Sequence, residues 1–497
     1  MTTETKQATE YETVIGLEVH VQLQTRSKMY CRCSADYANT PPNTHVCPIC
    51  MGMPGVLPVI NKQAVEYTIM TALALNCDIP EHAKFDRKNY PYPDLMKGYQ
   101  ISEYDMPLSR NGWLEVEIDG ARTRIGITRV HLEEDVAKLV HRMNEAGETY
   151  SLVDVNRAGV PLMEIVSEPD IRSPEEGRQY LMKLRQILRY IGVSEANMEE
   201  GSFRCDANIS LRQVGDTQLG PKVEVKNMNS FRAVFRALSF EVERQREVIE
   251  GGHMPVQETR GWVEDKGQTV SQRTKEYAHD YRYFPEPDLP PLRLEPDYVE
   301  SIRAALPELP DAKEQRFIRE YGLSEYEAHL LTETRARADF FDACLATPAG
   351  GDAESLKARA KSVSNWMLGD FARLLNQASV DVDEAKVEPR ALYDMISLIE
   401  RGAISGKSAK TVFEVMFKTG KPPVEVVQEL GLTQISGEEE IAAVVDKILA
   451  ANPKAVDDYR SGKAEAAKFL VGQVMKETRG RANPGLVNEL LQKKLMS

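Results

Sequence analysis

Two residues that can bind a metal ion, Glu18 and His20, are two positions apart in a segment of alternating apolar and polar residues. Residues two apart on a β-strand lie on the same face, so both side chains can reach one ion. Two such residues on their own are more often part of a solvated surface than a set of metal ligands. Further carboxylates change that balance, and they lie at 131–135, 154–170 and 198–206. Dispersed carboxylates suit Mg²⁺, which takes a few oxygen ligands together with water and substrate phosphates.

Positive side chains accompany these carboxylates. They are Lys88, Arg157, Arg204, Lys226 and Arg282. A metal ion, carboxylates and cations together are what phosphoryl transfer requires, because its transition state carries spread negative charge. The sequence contains neither a Walker A loop nor a GxGxxG motif, so a nucleotide would bind on an uncommon scaffold. The residues alone therefore predict an acidic metal site with cations, and no more.

Four of the seven cysteines are close together in sequence, as Cys31-x-Cys33 and Cys47-x-x-Cys50. Two close pairs at this separation can converge on a tetrahedral Zn²⁺. The alternative is a group of four free buried thiols. A site of four thiolates has no open coordination position, so the predicted zinc is structural and not catalytic.

The elements that must position these residues are mainly strands. Apolar and polar residues alternate at 17–23, 152–156, 204–211 and 223–227. Helical spacing follows a Ser-Pro-Glu-Glu start at residue 173, and a second helix is predicted over 230–250. A sheet with one apolar and one polar face is typical of antiparallel architecture. We expect the polar face, rich in Glu, His, Asp, Asn and Lys, to line the site.

Two breaks divide the chain of 497 residues. A proline-rich stretch follows residue 284, and a second, Gly- and Pro-containing joint covers 346–352. The pattern after the first break is helical. These breaks predict an α+β chain with a strand-rich domain at 1–295, a helical domain at 296–350 and a helical tail at 351–497.

Composition places the chain among globular proteins, with 42% hydrophobic and 28% charged residues. No apolar run approaches the roughly 20 residues that cross a bilayer, and the polar N-terminus resembles no signal peptide. The expectation is a cytoplasmic protein without membrane contact. The net charge of −14 argues against nonspecific nucleic-acid binding by the whole surface. Residues 461–497 nevertheless carry seven Lys/Arg against three Glu, which leaves room for a local basic patch.

Several long segments, taken in order, resemble the B subunits of the GatCAB amidotransferases. They are 14–20, 85–90, 154–157, 164–170, 198–212 and 280–288, with 469–476 and 480–484 near the C-terminus. The resemblance covers essentially the whole chain. It implies an antiparallel-sheet cradle domain that holds a kinase site, an all-helical linker domain, and a helical YqeY-like tail that contacts tRNA. It also implies two partners, an amidase (the A subunit) that releases ammonia from glutamine and a small C subunit.

The chemistry implied by the resemblance is the ATP- and Mg²⁺-dependent phosphorylation of the side-chain carboxylate of Glu-tRNA(Gln), Asp-tRNA(Asn) or both. Ammonia from the amidase would then replace the phosphate. Carboxylates need this activation because oxide is too poor a leaving group.

The resemblance also assigns roles to residues of this chain. The implied Mg²⁺ ligands are His20, Glu134 and Glu164, and the other implied catalytic-site residues are Glu18, Lys88, Ser202 and Asp206. The implied tRNA-binding residues are Lys476, Arg479 and Arg481. Alternation does not decide between Glu133 and Glu134, and Glu134 is ranked first. The family commonly has Asp-Ala-Gly-Lys after this acidic pair, whereas this chain has Asp-Val-Ala-Lys at 135–138.

Two other classes of protein compete with this interpretation. A non-catalytic tRNA scaffold would have no reason to concentrate carboxylates opposite RNA phosphates. A zinc-dependent hydrolase would need an open coordination position, and the sequence has no HExxH motif to supply one. The basic tail could be an ordinary solvated helical face, which is the commoner meaning of a charge run.

Overall fold

The computed structural model describes residues 10–274, 281–346, 353–432, 438–461, 463, 465–478, 482 and 484–496. Its strands are β1 (Tyr11–Gln22), β2 (His82–Ala83), β3 (Asp86–Asn89), β4 (Tyr99–Ser102), β5 (Gly112–Ile118), β6 (Ala121–Glu134), β7 (Lys138–Met143), β8 (Thr149–Asp154), β9 (Pro161–Ser167), β10 (Phe203–Gln213), β11 (Val223–Met228), β12 (Glu258–Val263), β13 (Gln268–Thr274), β14 (Phe284–Pro285) and β15 (Leu292–Arg293). Its helices are α1 (Lys62–Ala74), α2 (Pro174–Tyr190), α3 (Phe231–Glu250), α4 (Pro296–Ala304), α5 (Pro310–Tyr321), α6 (Glu325–Leu331), α7 (Arg335–Leu345), α8 (Ala353–Trp366), α9 (Ala372–Ala378), α10 (Pro389–Glu400), α11 (Gly406–Thr419), α12 (Pro423–Leu430), α13 (Glu438–Ala451), α14 (Pro453–Arg460), α15 (Glu465–Glu477) and α16 (Pro484–Met496).

The predicted α+β class is confirmed, with a large sheet in the first part of the chain and helices in the rest. The sheet has eight strands in the order β13-β12-β11-β10-β1-β9-β6-β5. Its neighbours are antiparallel except for β11 and β12, which run parallel. Parallel neighbours need a crossover connection, and α3 provides it between these two strands. The sheet is therefore mixed by one pair.

The alternation predicted for β1 is confirmed. Leu17 and Val19 are fully buried, whereas Glu18 and His20 between and beside them are only half-buried. The apolar side chains of β1 share one core with those of α2 and α3. Because these helices cover the apolar face, the polar face of the sheet is left free for a site.

Both helices that the sequence predicts in the first unit are present, and each begins after a serine N-cap, of which Ser173 is the predicted one. The Ser173 hydroxyl accepts a hydrogen bond from the backbone N–H of Glu176 at 3.1 Å, and Pro174 is the first helical residue of α2. The Ser230 hydroxyl likewise accepts from the N–H of Ala233 at 3.0 Å at the start of α3. These caps satisfy N–H groups that a helix start leaves without intrahelical partners.

A small three-stranded sheet, ordered β14-β3-β4, lies beside the cavity described below. Lys88 on β3 pairs with Gln100 on β4, and Arg87 pairs with Phe284 on β14. The Arg87 guanidinium donates to both carboxylate oxygens of Glu286, at 2.7 and 2.8 Å. This bidentate pair joins β3 to the segment that follows β14, a region far away in sequence.

The chain forms two compact units, Met1–Leu309 and Pro310–Ser497. The predicted boundary at 295/296 comes too early, because α4 packs against α1 and Ile302 belongs to the core of the first unit. The predicted boundary at 350/351 falls in a joint whose residues 347–352 lie outside the described part of the chain. Helices on its two sides pack together, since α7 contacts both α8 and α10.

Within the second unit, α13 to α16 have an apolar cluster of their own. Val445, Leu470 and Leu490 are among its buried members. Across the described residues, none of the helices combines the length and the apolar character that crossing a bilayer would need.

Candidate functional site

Three potential metal ligands from three adjacent strands meet on the polar face of the large sheet. His20 on β1 is opposite Glu164 on β9, and Glu164 is opposite His131 on β6. The His20 Nε2 atom lies 3.6 Å from Glu164 Oε2 and 3.7 Å from Glu133 Oε1. One ligand atom each from His20, Glu133 and Glu164 can be chosen so that all lie within 4.8 Å of one another.

The structure brings Glu133, and not Glu134, to this cluster. The Glu134 carboxylate instead forms an ion pair with Lys97 and accepts a hydrogen bond from the backbone N–H of Ile101 at 3.1 Å. Consecutive residues of a strand point to opposite faces, so only one of the two glutamates can share the face of His131. The ranking of Glu134 above Glu133 is therefore corrected.

The donor set of this cluster fits a divalent cation. Two carboxylates supply hard oxygen atoms, and a Mg²⁺ ion would complete its shell with water and phosphate oxygens. His131 Nε2 lies 3.3 Å from Glu164 Oε2, so His131 helps to hold the Glu164 carboxylate in position. Burial alone would raise the pKa of Glu164, but His131, His20 and Lys88 outweigh burial and hold that pKa well below its ordinary value. Glu164 is thus kept as an anion that can bind a cation.

Lys88 faces this cluster from the small sheet. Its Nζ atom lies 5.2 Å from the ring centre of Tyr281 and 5.8 Å from that of Tyr90. Among the described residues, its ammonium forms no hydrogen bond and no ion pair. Burial would lower the pKa of Lys88, but Glu133 and Glu164 help to raise it above its ordinary value. The ammonium is therefore charged and available to an anionic ligand.

Two further cations are held by carboxylates at the other side. Arg204 donates to both oxygens of Asp135, at 3.0 and 3.2 Å. The Asp135 carboxylate is buried and also accepts from the Gln22 amide at 2.6 Å. Lys226 forms an ion pair with Asp206 and lies 3.3 Å from Glu224. Arg204 and Lys226 are thus fixed in position by anions of the same site.

Glu18 and Asp206 lie side by side on β1 and β10. The Asn208 amide donates to Glu18 at 2.9 Å. Burial raises the pKa of Glu18, and the neighbouring carboxylates of Glu164 and Asp206 raise it further. Carboxylates are therefore crowded on this side of the cavity, and the crowding favours the protonated form of Glu18.

One cavity of about 430 Å³ is lined by His20, Glu133, Glu164 and Lys88 and by the ion-paired Arg204 and Lys226, whereas His131 is not part of its lining. Its lining residues are Glu18, His20, Lys88, Tyr90, Gln100, Glu133, Asp135, Val136, Leu162, Glu164, Arg204, Asp206, Glu224, Lys226, Asn227, Thr259 and Tyr281. The cavity combines three potential metal ligands, a lysine that forms no ion pair among the described residues, two ion-paired cations and a group of carboxylates. Such an arrangement can bind a metal–phosphate group and stabilise charge that develops on it.

Ser202 does not belong to this lining. Its hydroxyl accepts from the backbone N–H of Asn197 at 2.9 Å and donates to the Asn197 carbonyl at 3.2 Å. The predicted role in the catalytic pocket is therefore corrected to a role in the turn before β10. The tail residue Lys476 is exposed on α15, while Arg479 and Arg481 lie outside the described residues.

The predicted cysteine cluster does come together. The sulfur atoms of Cys31, Cys33, Cys47 and Cys50 all lie within 4.8 Å of one another. The Cys47 and Cys50 sulfurs are 3.8 Å apart, and the N–H of Cys47 points at Cys50 Sγ at 3.1 Å. Four converging sulfurs are the donor set of a structural Zn²⁺ site.

Several members of the metal-site cavity do not stand out in the sequence. From the sequence, Glu133 is ranked after Glu134, and Asp135 is distinguished only as a member of an acidic cluster. Tyr281 is distinguished only as part of the segment 280–288. The spacing of His131 and Glu133 by two residues is the available signal, because it puts both on one face of a strand.

Glu103 is buried just after the end of β4, and its burial predicts that the stability of the folded protein depends on pH. It accepts hydrogen bonds from the N–H groups of Leu108 (2.9 Å) and Leu132 (3.4 Å), and burial raises its pKa from 4.5 to about 8. The folded chain thus holds this proton more tightly than the unfolded chain. The stabilisation is complete below about pH 4.5 and is lost as the pH rises through about 8.

Replacing Glu103 by glutamine should therefore flatten the fall of melting temperature between about pH 5 and pH 9, with the variant a few degrees more stable than wild type at the upper end. Thermal unfolding of the full-length chain measures this. Glu117→Gln is the matched control, since it removes the same charge from an exposed position on β5. Parallel curves for wild type and Glu103→Gln would contradict the expectation.

Comparison with known proteins agrees with the resemblance inferred from the motifs. A family model described as the GatB/GatE catalytic domain matches residues 13–300, and one described as the GatB domain matches 352–495.

Named relatives match over almost the full length. The chain is 59% identical over 489 residues to a protein of Dehalococcoides mccartyi (strain CBDB1) named as the B subunit of aspartyl/glutamyl-tRNA(Asn/Gln) amidotransferase, covering 98% of this chain and 99% of that one. Proteins with the same name from Thermomicrobium roseum and Carboxydothermus hydrogenoformans are 58% and 56% identical, each over 486 residues, with the same shares covered. The chain therefore belongs to the family of aspartyl/glutamyl-tRNA(Asn/Gln) amidotransferase B subunits.

Proposed function

We propose that this chain uses ATP and Mg²⁺ to activate the side-chain carboxylate of Glu-tRNA(Gln), Asp-tRNA(Asn) or both, and then amidates it. A carboxylate oxygen attacks the γ-phosphorus of ATP, the bond from that phosphorus to the β–γ bridging oxygen breaks, and ADP leaves. Ammonia next attacks the carbonyl carbon of the acyl phosphate and forms the C–N bond. The C–O bond to phosphate breaks, inorganic phosphate leaves, and the nitrogen gives up a proton. The products are Gln-tRNA(Gln) and Asn-tRNA(Asn).

The observation that carries this proposal is the meeting of a metal-ligand cluster and charged lysine and arginine side chains in one cavity. His20, Glu133 and Glu164 would hold Mg²⁺, which when bound neutralises phosphate oxygens. Lys88 would bind the phosphoryl oxygens, because its ammonium is charged and forms no hydrogen bond or ion pair among the described residues. Arg204 would add a second, fixed positive charge.

Glu18 and Asp206 supply the anionic wall of the cavity. Phosphate oxygens are repelled from this wall and are therefore directed toward the metal cluster and Lys88. The same carboxylates are suited to accept the proton that the attacking ammonia gives up. Lys226 holds Asp206 in position through its ion pair.

We propose that the chain works in a cytoplasmic heterotrimer. An amidase partner would release ammonia from glutamine, and a small third chain would complete the assembly. The relatives are named as B subunits, which is consistent with this arrangement. The four cysteines would hold a structural Zn²⁺ that braces the segment between β1 and α1, apart from the chemistry.

ADP formation tests the proposal. The chain purified with its amidase and its small partner should release ADP only when both Mg²⁺ and Glu-tRNA(Gln) or Asp-tRNA(Asn) are present. Uncharged tRNA is the control, because it offers the same RNA without a side-chain carboxylate. Tight binding of charged tRNA without any ADP release would instead favour a non-catalytic scaffold.

Helices α13 to α16 are proposed to bind tRNA through phosphate and shape contacts, with Lys476, Arg479 and Arg481 among the binding residues. Because these helices have their own apolar cluster, a chain ending after Gly431 should keep the rest of its fold. We expect its tRNA affinity to fall about tenfold or more, with a weaker dependence on salt. Binding measured at several salt concentrations checks this. Equal affinity for the full and shortened chains would contradict a role for the tail.

A further inference from the structure

Lys28 is a buried cation that the catalytic proposal does not use. Its side chain is 1% exposed, which makes it one of the largest fully buried side chains. The Nζ atom donates to the carbonyl oxygens of His45 (2.8 Å) and Val155 (3.3 Å). In the part of the chain that the structure describes, no carboxylate oxygen lies within 4.0 Å of it. A buried ammonium without a counter-charge is strongly unfavourable, so this position calls for a source of negative charge.

The four-cysteine cluster lies next to Lys28. Lys28 and three of the cysteines, Cys31, Cys33 and Cys47, line one cavity of about 830 Å³. A Cβ atom built on Gly159 would be 3.6 Å from Lys28 Cδ and 3.8 Å from Cys50 Cβ, so the two side chains flank the same point. The lysine stem and Cys50 therefore lie close together beside Gly159.

Lys28 also contacts both segments that carry the cysteines. Its backbone N–H donates to the carbonyl of Cys33 at 2.9 Å, within the first pair. Its ammonium donates to the carbonyl of His45, two residues before Cys47 in the second pair. One side chain and its own backbone thus hold the two cysteine segments at a fixed separation.

A divalent ion bound by four thiolates leaves two net negative charges inside the protein, because four negative sulfurs exceed the ion's two positive charges. Groups outside the ligand shell commonly tune such a site. Lys28 is a buried cation in the required place.

We propose that Lys28 is the internal counter-charge of the four-cysteine metal site and ties its two cysteine pairs together. The inference rests on the proposed zinc site. Glu134 is the competing source of negative charge, since its Oε2 atom lies 3.9 Å from the same point beside Gly159. Its carboxylate is already paired with Lys97 and the N–H of Ile101, so it is committed elsewhere.

Zinc affinity of the full-length chain tests the proposal, with Zn²⁺ alone as the probe. Lys28→Met keeps the length of the side chain and removes its charge. Lys62→Met is the matched control, because Lys62 lines the same cavity but is 78% exposed and pairs with Glu66. Competition against a chelator of known affinity should show a loss of about 10- to 100-fold for Lys28→Met and less than about twofold for Lys62→Met.

Three outcomes would overturn the proposal. One is an unchanged zinc affinity in Lys28→Met, and another is an equal loss in both variants. The third is an equal fall in melting temperature on Lys28→Met in the zinc-free and the zinc-loaded chain. Lys28 would then be a packing residue only. A wild-type chain that binds no zinc would refute the zinc site itself. This failure can be distinguished from a failure of the Lys28 proposal, because it is seen before any variant is compared.

Discussion

Glu133→Gln should reduce ADP formation by the tRNA-loaded complex about 100-fold or more, while leaving binding of charged tRNA nearly unchanged. The substitution keeps the shape of the side chain but removes the negative charge that, with His20 and Glu164, would hold Mg²⁺. The loss should be partly recovered at high Mg²⁺ concentration, because a weakened site can still be filled. Steady-state ADP release measured across a Mg²⁺ titration checks both parts.

Glu134→Gln is the matched control, one residue away on the same strand. Its carboxylate contacts Lys97 and Ile101 and is absent from the cavity lining. We expect a loss of stability from the broken ion pair but less than about tenfold loss of ADP formation. The reverse pattern, with Glu134→Gln inactive and Glu133→Gln active, would contradict the assignment of the metal ligands.

Lys88→Met should lower the rate of the phosphorylation step about 100- to 1,000-fold with little effect on tRNA affinity. Its ammonium is the cation of the cavity that forms no ion pair among the described residues, so its charge is available to the phosphoryl group. A charge that stabilises only the transition state affects kcat more than substrate binding. Single-turnover ADP formation at saturating ATP measures this effect.

Lys97→Met supplies the comparison for that experiment. Lys97 lies near the rings of Tyr30 and Tyr99, as Lys88 lies near two other tyrosines, but its ammonium is paired with Glu134 away from the cavity. We expect less than about tenfold change in the rate. Equal losses in the two variants would mean that Lys88 acts through the local fold and not on the phosphoryl group.

Much of the site follows from local sequence patterns. The alternation around residue 18 and that at 204–211 predict which side chains share the polar face, and the register of β1 with β10 then places Glu18 beside Asp206. The cysteine spacing likewise predicts the four-sulfur cluster. These patterns succeed because a strand and a short knuckle fix the direction of side chains within a few residues.

The predictions that the structure corrects depend on contacts between residues that are far apart in sequence. The choice between Glu133 and Glu134 depends on which residues of β6 lie on the same face of the sheet as Glu164. The pairing of His131 with Glu164 sets this register. Ser202 lies just before β10, where the chain turns and the alternation no longer applies. The extension of the first unit to residue 309 depends on the packing of α4 against α1, which local composition does not reveal.

We propose above that a side-chain carboxylate of the charged tRNA is phosphorylated in the cavity of this chain. Glu-tRNA(Gln) labelled with ¹⁸O in its side-chain carboxylate tests it most directly, using the complex with its partners, Mg²⁺, ATP and glutamine. One labelled oxygen should appear in the inorganic phosphate for each Gln-tRNA(Gln) formed, since the C–O bond of the acyl phosphate is the one that breaks. Amide formation with unlabelled phosphate would contradict it.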